Sequence, residues 1–98
     1  MPSYHVTLHP TAKRELNDLP DSTRTELRDR LTDAAERREP SAHPSAKHLT
    51  GTDGLFRIRA EDTRAICRLE KPELQVLRVG KRSEVYDIID DIDDRLPA

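Results

Sequence analysis

The spacing of apolar positions changes several times along the chain, and each change marks an element. Tyr4, Val6 and Leu8 alternate with polar neighbours, the period of a strand with one buried face. Pro10 follows where a helix tolerates proline, in its first turn. Ala12, Leu16 and Leu19 then recur at i, i+4 and i+7, which predicts a short amphipathic helix ended by Pro20. A second helix is capped by Asp21 or Ser22, with Glu26 completing a capping box if Thr23 is the cap. Its apolar stripe is Leu27, Leu31, Ala34 and Ala35. Residues 39–53, EPSAHPSAKHLTGTD, are turn chemistry. Three strands follow at 55–60, 65–70 and 74–79, separated by the hairpin-length breaks EDT and KPE. Past Gly80, the residues Val85, Ile88, Ile89, Ile92 and Leu96 repeat every three to four positions, a final helix over 85–96.

The order β-α-α-β-β-β-α predicts one α+β domain of two layers over residues 1–98. The N-terminal strand joins three hairpin-linked strands in a four-stranded, mainly antiparallel sheet, and the helices pack on it. A chain of 98 residues has room for one modest core. Helices on one sheet face leave the other to solvent or a ligand.

That second face is where charge changes the picture. Arg57 and Arg59 alternate with Phe56, Ile58 and Ala60, so both point away from the core. Arg64 opens the next strand across a short turn, and Arg82 and Tyr86 follow the last strand closely. Net charge is −2, which alone argues against a polyanion partner. Its distribution argues the other way: residues 54–86 hold eight basic against five acidic residues, a balance of +3, while residues 87–98 hold one against five, a balance of −4. Arginine binds phosphate through paired, charge-assisted hydrogen bonds, so several on one face make a strong anion site. The competing explanation is a solvated face, its arginines paired with Glu61, Asp62 and Glu84. Cys67 stands alone inside a strand and reads as a small buried thiol. The N-terminus has no apolar run of signal-peptide length and no stretch approaches the ~20 residues that span a bilayer, so a cytoplasmic location is expected.

These residues sit in two stretches that resemble a RelE-type toxin of the RelE/ParE superfamily: KHLTGTDGLFRIRAEDTRAI and VLRVGKRSEVYDII, together roughly residues 47–89. The resemblance implies a fold like that of the small microbial ribonucleases. It further implies a ribosome-dependent endoribonuclease that cuts messenger RNA in the decoding site by metal-free attack of a 2′-OH, with no cofactor. Carried over by position, the catalytic residues are Arg59, Arg64, Arg82 and Tyr86, with Arg57, Lys81 and Lys47 binding RNA. Tyr86 serves as general base or stacks on the base. The implied partners are the ribosome, its message and a RelB-like antitoxin. The chain departs from the family at Thr63 and Cys67, where tyrosine is common. Its histidines fall on none of the family's active-site positions. Two other functions remain open: a ParE-like inhibitor of DNA gyrase, and a binding module or decayed toxin that catalyses nothing.

Overall fold

The computed structural model describes residues 4–49, 51–52 and 54–81. The helix expected over 85–96, with Arg82 and Tyr86, lies outside them. The elements run β1 (His5–Leu8), α1 (Pro10–Asn17), α2 (Asp21–Glu36), a 3-10 turn (Pro40–Ala42), β2 (Ala46–His48), β3 (Phe56–Ala60), β4 (Thr63–Glu70) and β5 (Glu73–Lys81). One sheet holds all the strands in the order β1-β5-β4-β3-β2, with β1 parallel to β5 and every other pair antiparallel.

Both helices form for the reasons their spacing gives. Ala12 and Leu16 of α1 are buried, as are Leu27, Leu31, Ala34 and Ala35 of α2. They pack on Phe56, Ile58, Ala65, Cys67, Leu74, Val76 and Val79 of the sheet in one continuous core. His9 caps α1, its Nδ1 accepting from the Thr11 N–H at 3.3 Å. The capping box expected on α2 does not form. The cap position is Pro20, without a side-chain bond, and Thr23 lies inside the helix, where its hydroxyl donates to Glu61 at 3.3 Å.

The sheet has five strands rather than four. The addition is β2, three residues from the segment read as turn chemistry, paired with Phe56–Ile58 along the edge of β3. Three residues carry too little periodicity to announce a strand, and the pairing is supplied by a neighbour already in place. The loop after β2 closes with the Leu49 N–H on the Leu55 carbonyl at 3.0 Å, and Gly51 and Gly54 supply its positive φ values.

β5 carries a bulge. Cys67 pairs with Val76, but Ile66 pairs with Arg78, so Leu77 has no partner opposite. Strict alternation from Leu74 and Val76 would send Arg78 into the core; the extra residue brings Val79 there instead. Freed of the core, Arg78 holds the carboxylate of Glu15 on α1 through two bonds of 3.0 and 3.1 Å. Glu15 also accepts the Val79 N–H at 3.0 Å. β1 ends opposite Val76, so this carboxylate satisfies a backbone donor of β5 that no strand reaches.

Candidate nucleic-acid interface

The arginines occupy the sheet face turned away from the helices. Phe56, Ile58 and Ala60 are buried in the core, which sends Arg57 and Arg59 to the opposite side. Across the β3–β4 ladder Arg59 lies directly opposite Arg64. In an antiparallel pair that sets their Cα atoms about 4.5–5.5 Å apart, with both side chains on one face. The next paired row runs Lys47, Arg57, Ile66 from β2 through β4. Lys47, Arg57, Arg59 and Arg64 therefore form a patch two rows deep. Lys47 and Arg59 are exposed, Arg57 is half-buried and Arg64 is buried.

Among the described residues, no carboxylate lies within ion-pair distance of Lys47, Arg57 or Arg59. Glu61, expected as a counter-charge, instead accepts from Thr23 of α2. Further along the face Arg68 is engaged locally, donating to Gln75 at 3.1 Å and lying 3.9 Å from Glu70.

Two sequence-based placements change. Lys81 is registered with Thr63, and alternation from Arg64 puts Thr63 on the helix side, so Lys81 does not share the arginines' face. The bulge at Leu77 shifts the phase of β5 ahead of this position. His43, within the segment read as turn chemistry, is buried there: its Nδ1 accepts the Ser45 N–H at 2.9 Å, leaving Nε2 to donate to Asp33 at 2.8 Å.

Behind the patch stands a support that periodicity does not signal. The Ser45 carbonyl accepts the Arg59 backbone N–H at 3.0 Å and the Arg57 guanidinium at 3.4 Å. Arg30 of α2 donates to Ser45 Oγ and to the Arg59 carbonyl. Cys67, on the core side of β4, is fully buried, and burial pushes its thiol far above the ordinary range, so it is no nucleophile. No group of metal-ligating side chains occurs among the described residues. None of the described helices is long and apolar enough to cross a membrane.

The chain falls in the class of two-layer α+β domains, here with arginine gathered on the sheet face turned away from the helices. Comparison narrows the class. The family model described as the ParE toxin of type II toxin–antitoxin systems matches residues 6–86. The chain belongs to that family, and so to the RelE/ParE superfamily of toxins. A search of curated protein sequences returned no match. Among solved structures, an E. coli RelE toxin mutant in the free state aligns with a TM-score of 0.71 at 22% identity, covering 94% of this chain and 98% of that one. The RelBE2 toxin–antitoxin complex of Mycobacterium tuberculosis aligns at 0.68 with 26% identity, covering 85% and 95%. The RelB–RelE complex of Methanococcus jannaschii aligns at 0.68 with 17% identity, covering 83% and 95%.

Proposed function

We propose that this toxin is a ribosome-dependent endoribonuclease that cuts messenger RNA in the decoding site. The observation that carries the reading is the Arg59–Arg64 pair, face to face across β3 and β4 and flanked by Arg57 and Lys47. Like charges directly opposite one another weaken a sheet, and a bound phosphodiester would offset that repulsion.

In this reaction the 2′-oxygen attacks the adjacent phosphorus and gives up its proton while the bond to the 5′-oxygen breaks. The products are a 2′,3′-cyclic phosphate and a 5′-hydroxyl. Arg59 and Arg64 stabilise the charge that builds on the phosphorane, and fixed cations aimed at developing charge are an effective catalytic device. Arg57 and Lys47 hold the RNA backbone. Arg82 assists the departing 5′-oxygen, and Tyr86 takes the proton or stacks on a base. The RelB–RelE complexes among the matching structures support a RelB-like antitoxin as the partner of this chain.

The family description, which names ParE, favours one second reading: a toxin that inhibits DNA gyrase. Purified protein in a translation reaction, with primer extension mapping the cuts, separates the two. Wild type is expected to cut message only while ribosomes translate it. Arg59→Ala, Arg64→Ala and Tyr86→Phe are each expected to lower cutting by roughly 10²-fold or more. Intact message together with blocked DNA supercoiling would establish the gyrase reading instead.

A further inference from the structure

We propose that Arg30 of α2 is a positioning residue for the RNA-binding face, setting the stance of Arg57 and Arg59 through Ser45; this rests on the nuclease reading. One Arg30 nitrogen donates to both Ser45 Oγ and the Arg59 carbonyl, the latter at 3.3 Å. The other is anchored on Glu26, one helical turn earlier. Ser45 in turn accepts the Arg59 N–H and one nitrogen of Arg57 on its carbonyl. Its own N–H is held by His43, which Asp33 fixes. Arg30 and Asp33, three residues apart on α2, thus grip the segment 43–45 at both ends.

An exposed pair with Glu26 would need one edge of the guanidinium and would contribute little. Arg30 commits its second edge to the sheet. Arg59 is thereby fixed on both backbone polar groups, its N–H by Ser45 and its carbonyl by Arg30, although its side chain bonds no other described residue. Arg57 spends one nitrogen on Ser45 and keeps its remaining donors for a phosphate. Part of its rotamer freedom is lost before RNA arrives, which lowers the cost of binding.

Two readouts test the proposal: single-turnover cutting of message on saturating ribosomes, normalised to the folded fraction, and the Nε–H NMR signal of Arg57 in the free protein. Arg30→Ala is expected to slow cutting about tenfold, as small misplacements of a reacting group do. It should also move the Arg57 signal to the averaged position of unrestrained arginines. Arg30→Lys should recover part of both effects. Combined with Arg57→Ala, Arg30→Ala should slow cutting little beyond Arg57→Ala alone. Ser45→Ala, which removes one acceptor and no charge, should act in the same direction even if Arg30→Ala fails to fold. An unmoved Arg57 signal in both variants, or losses that multiply in the double variant, would overturn the proposal. Should wild type leave message intact, the nuclease reading falls and the Arg57 signal alone decides the positioning role.

Discussion

Arg59 and Arg64 face each other at one end of a hairpin whose turn is itself strained. Glu61, next to it, has φ of 57°, a conformation that side chains other than glycine rarely adopt. Its carboxylate is tied to Thr23 on α2, so the helix helps hold the turn. Like charges in register and a left-handed residue, within six positions, are both local costs. Such costs persist where surrounding structure over-determines them, and they cluster at functional sites. Cys67 permits a test of the core beneath. Its thiol is held neutral by burial, whereas the unfolded chain releases the proton above about pH 8.5. The unfolded state then binds fewer protons, so this residue lowers stability as pH rises, by at most about 1.4 kcal/mol per unit. Thermal melts followed by circular dichroism, from about pH 8 upwards, should fall more steeply for wild type than for Cys67→Ala. The alternation that made Arg57 and Arg59 legible as a pair also made Cys67 legible as buried, because period two is a property of the strand itself.

At the scale of elements, Glu15 does the work of a missing strand segment. It pairs with Arg78 and caps the Val79 N–H past the end of β1. Glu15→Ala is expected to lower stability by about 1–2 kcal/mol, since it removes an acceptor from a part-buried guanidinium and from a backbone donor. Glu15→Gln, which keeps an acceptor oxygen, should recover part of that in a urea titration. Nothing in the spacing of α1 marks Glu15 for this role; it reads as one more polar residue on the outer face of an amphipathic helix. The β5 bulge was equally hidden. LQVLRV alternates only imperfectly, and the phase shift is settled by which residue, Arg78 or Val79, can be buried. Thr23 shows the reverse error. Its spacing to Glu26 fits a capping box, but a helix that starts at Asp21 places it inside the first turn, where a buried hydroxyl takes the partner tertiary packing offers.

Across the whole molecule, a net charge of −2 coexists with a cationic face because residues 87–98 carry a balance of −4 while residues 54–86 carry +3. Binding to single-stranded RNA should therefore weaken with salt. Arg57→Ala should reduce the slope of log affinity against log salt by about 0.7, the value of one released counterion on a single strand. Lys13→Ala, on the helix layer, should leave that slope unchanged in the same fluorescence titration. The sequence by itself determined the order of the two described helices, the buried stripe of each, and the separation of Phe56 and Ile58 from Arg57 and Arg59. Those follow from periodicity, which is local. Only the tertiary structure decided that Arg59 meets Arg64 in register, that Lys81 falls on the other side, that Ala46–His48 becomes a strand, and that Arg30, Ser45 and His43 back the patch. All but the Arg59–Arg64 pair depend on partners further away in the chain, joined by hydrogen bonds whose donors and acceptors every polar residue carries and whose pairing spacing does not encode.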